Sequence, residues 1–142
     1  MTITYFDTSA LVKLFLVDEG GSSRAQALWR DADERVSVNL IEVEARATFA
    51  AAHRAARLSE TQSRLAVVGL RVLMEGLTAV TPSDQLVGLA GDLADSEGLR
   101  GYDAVHLATA LAVRTEVFVC ADTRLCAAAS AQGLAVANPL VT

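Results

Sequence analysis

Five short runs of β-branched, aromatic or small apolar residues are spaced along the chain. Each is separated from the next by a stretch with helical patterning. Ile3-Thr4-Tyr5-Phe6, Val36-Ser37-Val38, Leu77 to Val80, Val117-Phe118-Val119-Cys120 and Leu134-Ala135-Val136 read as strands. Strands that alternate with helices across tight turns predict a parallel sheet covered on both faces, an α/β architecture. Nothing in the chain reads as a repeat, a low-complexity tract or a linker, so residues 1–142 are expected to form one domain. A chain of this length can bury roughly two-thirds of its surface, enough for a core without staples.

The helices carry their own punctuation. Asp7-Thr8-Ser9 supplies capping residues ahead of a helical Ala10 to Leu16, and residues 18–23 read as a loop. A helix is expected from about Arg24 to Ala32, with Ala25, Leu28 and Trp29 on one side. Asn39 is the expected cap of a long helix to about Arg57. Ser59 and Gln62 have capping-box spacing for a helix ending at Glu75-Gly76. Pro82-Ser83-Asp84 opens a helix to about Ser96, Gly98 and Gly101 precede one from Tyr102 to Arg114, and Asp122-Thr123 opens a short last helix.

Composition removes several function classes. Hydrophobic residues make up 52% and charged residues 20%, which excludes a disordered chain. A net charge of −5 argues against a polybasic nucleic-acid binder, and 5% aromatics against a base-stacking platform. The most apolar stretch, Leu65 to Val80, is broken by Arg71 and Glu75, so no membrane span is expected. Met1 to Asp7 has no basic, signal-like character. Cys120 and Cys126 fit neither a zinc nor a C-x-x-C pattern and are expected to be reduced, in a soluble cytoplasmic protein.

Four acids stand where acids need a reason. In a parallel sheet, ligands bind beyond the carboxyl ends of the strands. Asp7 and Asp122 each lie just past a strand, although either alone is also an ordinary helix cap. Glu44 has Leu40, Ile41, Ala47 and Thr48 at helical spacing, with Ala51 continuing the stripe, so it is expected to interrupt a buried face unless it reaches water at the stripe's edge. Glu42 is free to pair with Arg46 instead. Asp103 lies in the first turn of a helix, where the dipole also favours an anion. His106 is read as a structural, hydrogen-bonded residue.

Convergence of Asp7, Glu44, Asp103 and Asp122 would demand compensation. Two unit charges 4 Å apart repel by roughly 4 kcal/mol at an effective dielectric of about 20. Hard oxygen donors without His or Cys suit Mg²⁺, with Mn²⁺ as a substitute, and that chemistry points to phosphodiester hydrolysis. One divalent ion would bring the formal charge from −5 to −3, so acidity is no bar to a polyanionic substrate. Lys13, the only lysine, with Arg46 and Arg100, are the candidate phosphate-facing cations.

The blocks Tyr5-Phe6-Asp7-Thr8-Ser9-Ala10-Leu11-Val12-Lys13, Val36 to Glu44, Gly101-Tyr102-Asp103-Ala104-Val105-His106-Leu107-Ala108-Thr109-Ala110 and Cys120-Ala121-Asp122-Thr123-Arg124-Leu125 resemble, in order, those of PIN domains. The likeness is strongest to the VapC-type toxin ribonucleases and spans essentially the whole chain. Asn39 stands where that family commonly has serine or threonine, and Glu42 is an additional acid. The resemblance implies a three-layer α/β/α sandwich with a short central parallel sheet, and a Mg²⁺-dependent endoribonuclease acting on RNA. It assigns the catalytic and metal-holding roles to Asp7, Glu44, Asp103 and Asp122. It also implies a cognate VapB-type antitoxin and a homodimer, formed through the helices between Ser59 and Gly76.

Thr8, Ser9 and Thr123 are the expected orienting residues around the acids. Two rivals belong to other classes. One is a catalytically silent PIN-fold module that only binds RNA or protein. The other is an aspartyl-phosphate enzyme using Asp7, which would want an acid at position 9, where Ser9 stands.

Overall fold

The alternation in the sequence becomes a five-stranded sheet in which every neighbouring pair is parallel. The computed structural model describes residues 1–141. Its strands are β1 (Ile3–Phe6), β2 (Glu34–Val38), β3 (Thr78–Val80), β4 (Val117–Val119) and β5 (Ala135–Ala137), in the spatial order β3-β2-β1-β4-β5. Parallel strands cannot be joined by tight hairpins, so each connection carries helix. These are α1 (Thr8–Leu11), α2 (Ser22–Asp31), α3 (Ile41–Arg54), α4 (Glu60–Glu75), α5 (Asp84–Glu97), α6 (Gly101–Ala112) and α7 (Thr123–Ala131).

Side chains alternate across the sheet as a period of two requires. Tyr5, Val36 and Phe118 pack on one face with residues of α5, α6 and α7, including Leu86, Leu107 and Leu125. Phe6 and Val119 face the other way, against Ala10 and the α2 residues Leu28 and Trp29. These opposed packings make the three layers. A further cluster joins α1, α3 and α4 around Leu11, Ile41, Phe49 and Leu70.

The chain runs outward through β1, β2 and β3 and then returns to the other side of β1 to form β4. The order therefore reverses between β1 and β4, and a crevice opens beyond their carboxyl ends. Asp7 follows β1 directly, and Asp122 follows β4 after Cys120 and Ala121.

Several boundaries differ from the sequence expectation. The first helix is a single α turn that tightens into a 3₁₀ turn over Val12–Leu14, and a second 3₁₀ turn covers Val17–Glu19. α2 begins at Ser22, because Gly21 adopts φ 76° and turns the chain. A Cβ at Gly21 would stand 3.2 Å from the Lys13 side chain and 3.1 Å from the Pro139 carbonyl oxygen. Asn39 does not cap α3. Leu40 holds that position without a side-chain bond, while the Asn39 backbone N–H donates to Val80. α3 ends at Arg54, where Ala56 takes φ 59° and redirects the chain. The capping box of Ser59 and Gln62 and the cap Ser83 are present as expected. Cys120 and Cys126 are both free thiols. No described helix is long and apolar enough to cross a membrane.

Candidate active site

The crevice at the strand-order reversal is a cavity of about 600 Å³, lined by Asp7, Glu44, Asp103 and Asp122 together with Thr8, Ser9 and His106. Four different elements therefore bring the four acids to one hollow. Their immediate surroundings differ, and those differences decide what each can do.

Asp7 is the N-cap of α1 and is 2% exposed. Its Oδ1 accepts from the Ala10 N–H at 3.0 Å and from the Ser9 hydroxyl at 2.8 Å, and that hydroxyl also lies 2.9 Å from Oδ2. Ser9 Oγ in turn accepts the Ala121 N–H at 2.9 Å, tying the end of β4 to the Asp7 carboxylate. Burial pushes the Asp7 carboxyl above its ordinary range, against the lowering pull of His106 and of these donors.

Glu44 is half-buried and makes two bonds through one oxygen. Oε1 accepts from Thr8 Oγ at 2.8 Å and from His106 Nε2 at 2.7 Å. Burial alone would raise this carboxyl. The hydrogen bond and charge of His106, with the Thr8 hydroxyl, outweigh it and hold Glu44 below its ordinary value. The helix face it occupies is a correction to the sequence reading. The buried stripe of α3 is Ile41, Ala45, Phe49 and Ala52, whereas Ala47 and Ala51 are exposed. Alanine is tolerated in water, so it misplaced the stripe. Glu44 lies beside that stripe and turns toward the cavity.

Asp103 and Asp122 share a cation from their own chain. Arg100, at the N-cap of α6, sets its Nε 3.2 Å from Asp103 Oδ2 and its Nη2 3.6 Å from Asp122 Oδ2. The Arg100 side chain is 78% exposed, so this bridge is solvent-screened and worth about 1 kcal/mol or less per contact. Asp122 also caps α7, with Oδ1 accepting from the Leu125 N–H at 2.9 Å. Both the cap reading and the pocket reading of Asp122 are thus realised in one side chain.

Of the expected orienting residues, Thr8 and Ser9 line the cavity, whereas Thr123 is exposed and lies outside its lining. Lys13 and Arg100 line it. Arg46 instead borders a separate surface hollow with Glu42 and Asn39. Lys13 is buried and reaches Glu19 at 3.4 Å, and Arg57 holds the other Glu19 oxygen at 2.9 Å. The residue underrated from sequence is His106, whose Nδ1 lies 2.8 Å from the Tyr5 hydroxyl. The available signal was its place one turn beyond Asp103 on the buried side of α6.

The donor chemistry fits a hard divalent cation: Asp7, Glu44, Asp103 and Asp122, with the Thr8 and Ser9 hydroxyls, share one cavity that Glu19, Thr48 and Tyr102 also line, and Asp7 is too deeply buried to ionise comfortably alone. The arrangement is open rather than closed. Among the described residues, no three His, Cys, Asp or Glu side chains are drawn together as a ready-made metal-binding group. Arg100 occupies the space between two of the acids.

Residues 4–131 match the family model described as PIN domain. Ribonuclease VapC45 of Mycobacterium tuberculosis is 42% identical over 139 residues, which cover 96% of each chain. Among solved structures, the M. tuberculosis toxin VapC20, described as cleaving the sarcin-ricin loop, superposes with a TM-score of 0.70 at 18% identity, covering 92% of this chain and 95% of that one. A toxin–antitoxin complex from Klebsiella pneumoniae superposes with a TM-score of 0.67 at 20% identity, covering 96% and 97%.

Proposed function

This chain belongs to the PIN-domain family, on its VapC branch, and on that premise we propose that it is an endoribonuclease that hydrolyses RNA phosphodiester bonds with Mg²⁺ or Mn²⁺. The observation that carries the reading is the meeting of Asp7, Glu44, Asp103 and Asp122 around one cavity at the strand-order reversal. These four are the residues that would hold the ion. When bound, a divalent cation supplies Lewis-acid activation of water and neutralises charge developing on the phosphate.

The protein's own groups do the rest. Glu44, held below its ordinary value, is already ionised near neutrality and needs no proton displaced. Asp7 gives up its proton less readily and gains most from a nearby positive charge. Ser9 fixes the Asp7 carboxylate from the side, and Thr8 does the same for Glu44. Arg100 is exposed and loosely held, so it can leave its two acids and grip a substrate phosphate by a fork of N–H donors.

In this reading the protein is the toxin of a toxin–antitoxin pair in the cytoplasm, blocked by a VapB-type partner. The K. pneumoniae neighbour, itself a toxin–antitoxin complex, supports that assignment. The reading also includes a homodimer. α4 leaves Leu65, Val68 and Val72 more than half exposed at helical spacing, an apolar stripe suited to a second copy.

The test is cleavage of a single-stranded RNA with Mg²⁺ and with excess chelator, for wild type and for Asp7→Asn and Asp103→Asn. Cleavage only by the wild type, and only with metal, is expected. Full activity in chelator or in either variant refutes the assignment. The silent binding module is favoured by one observation, the Arg100 bridge across Asp103 and Asp122. Calorimetry showing RNA binding but no Mn²⁺ binding would select it.

A further inference from the structure

A chain of hydrogen bonds runs from the sheet to Glu44 through two buried side chains the catalytic reading does not use. The Val38 N–H, at the end of β2, donates to the Tyr5 hydroxyl oxygen at 3.2 Å. That hydroxyl lies 2.8 Å from His106 Nδ1, and His106 Nε2 lies 2.7 Å from Glu44 Oε1. Tyr5 is fully buried and His106 is 1% exposed, so water does not compete for these contacts. Their rings also meet edge to face, with centroids 5.8 Å apart, which fixes the imidazole plane.

The bond directions follow from the carboxylate, which can only accept: with Glu44 Oε1 2.7 Å from Nε2, the imidazole proton sits on Nε2, where Thr8 Oγ also lies 3.1 Å away. Tyr5 Oη accepts from Val38 and keeps a proton and a second lone pair, so it donates to a bare Nδ1 and accepts from a protonated one. A doubly protonated ring would also carry a proton there. The excluded form is the Nδ1–H neutral tautomer, which would set a lone pair against a carboxylate oxygen at 2.7 Å. His106 therefore presents a donor to Glu44 in either charge state of the ring, with Tyr5 holding the other nitrogen in place.

The consequence falls on the carboxylate. Oε1 takes both the His106 bond and the Thr8 bond, and among the described residues Oε2 has no hydrogen-bond partner. We infer that His106, locked by Tyr5, is a positioning residue that fixes the Glu44 carboxylate so that Oε2 alone is presented to a ligand in the cavity. Anchoring through Tyr5 and Val38 refers that oxygen to the sheet rather than to the surface of α3, whose Glu44 side chain is otherwise held, among the described residues, only by Thr8. A glutamate has three rotatable side-chain bonds, and freezing them before binding removes an entropic cost from association. The inference rests on the metal reading above and names residues that reading leaves without a role.

The experiment is Mn²⁺ titration calorimetry on the full chain, with thermal unfolding followed in parallel. His106→Leu is expected to weaken Mn²⁺ binding by about 10–100-fold, the usual loss when a residue orienting a metal ligand is removed. His106→Gln restores an N–H near the Nε2 position and is expected to recover most of that loss. In a Glu44→Gln background, His106→Leu should cost nothing further, because its effect passes through Glu44. Equal Mn²⁺ affinity in folded His106→Leu and wild type overturns the inference, as does an undiminished effect in the Glu44→Gln background. If His106→Leu does not fold, Tyr5→Phe decides, since it keeps the ring and removes the lock. Weakened binding in Tyr5→Phe supports the role, and wild-type affinity overturns it. A wild type that binds no Mn²⁺ instead refutes the metal reading itself, and this inference with it.

Discussion

Asp7→Asn is expected to make the metal-free protein more stable while removing its chemistry. Asparagine matches aspartate as an N-cap, so its Oδ1 can keep the Ala10 N–H at 3.0 Å and the Ser9 hydroxyl at 2.8 Å. The amide then faces Ser9 Oγ where Oδ2 stood, 2.9 Å away, and that oxygen has a second lone pair beside the one taken by Ala121. Geometry is preserved, and what disappears is a charge at a position 2% exposed. Relieving the desolvation of that charge, while a neutral amide keeps the same partners, is worth about 1–3 kcal/mol. A domain of this size unfolds with an entropy of roughly 300 cal/mol/K, so the melting temperature should rise by about 3–10 °C.

The pH dependence carries the sign. The Asp7 carboxyl is raised above its ordinary 3.8, so the native state holds the proton more tightly than the unfolded chain does. Between 3.8 and the raised native value the folded state binds more protons, and wild-type stability falls as pH rises. The variant has no such loss. Its advantage should be smallest near pH 4 and fully developed above the native value. Thermal unfolding in chelator from pH 4 to 8 measures this, beside the RNA cleavage assay. A variant less stable than wild type at pH 8, or an advantage that grows as pH falls, refutes the reasoning.

Glu44→Gln should act in the opposite direction. Its carboxyl is held below the ordinary 4.5, so it stabilises the fold above that pH and loses the contribution as pH falls through the native value. In chelator the variant is expected to be less stable by about 1 kcal/mol at pH 7, discounted for partial exposure, with the difference vanishing in acid. A pH-independent difference in melting temperature refutes that account. Ser9→Ala removes the donor shared by both Asp7 oxygens and leaves the Ala121 N–H without its partner. It should cost about 2–3 kcal/mol, read as a fall of roughly 6–10 °C in melting temperature. An unchanged transition would show that the tie between β1 and β4 contributes nothing. Leu65→Asp with Val68→Asp, on the exposed stripe of α4, is expected to convert a dimer into a monomer by light scattering without lowering helix content. A wild type already monomeric at high concentration refutes the dimer face.

The strands, the capping box at Ser59, the cap at Ser83 and the parallel sheet were legible because they are local: they follow from propensity, turn chemistry and side-chain period within a few residues. Asp7 and Asp122 were legible for a topological reason, since the carboxyl ends of parallel strands lie along one edge of the sheet. Glu44 was found by a partly mistaken route. The apolar count on α3 treated its alanines as buried, when Ile41, Ala45, Phe49 and Ala52 make the core face. Asn39 stands one residue ahead of the cap position, which Leu40 holds, and its backbone N–H pairs with Val80, a residue 41 positions away. Arg100 was picked out only as a cation near the site, and its bridge between Asp103 and Asp122 depends on α6 and α7 meeting.

Taken alone, the sequence determined the fold class and the family and picked out four acids that the structure places around one cavity, because these depend on pattern along the chain. Tertiary structure decided how the acids differ: which is buried and reluctant to ionise, which is held ionised, and which two share an arginine. It alone joined Tyr5, His106 and Glu44, residues on β1, α6 and α3. The reason is physical. Strand and helix formation answer to neighbours a few positions away, whereas ionisation and ligand orientation answer to burial and to donors supplied by remote segments, and those are set only when the layers close.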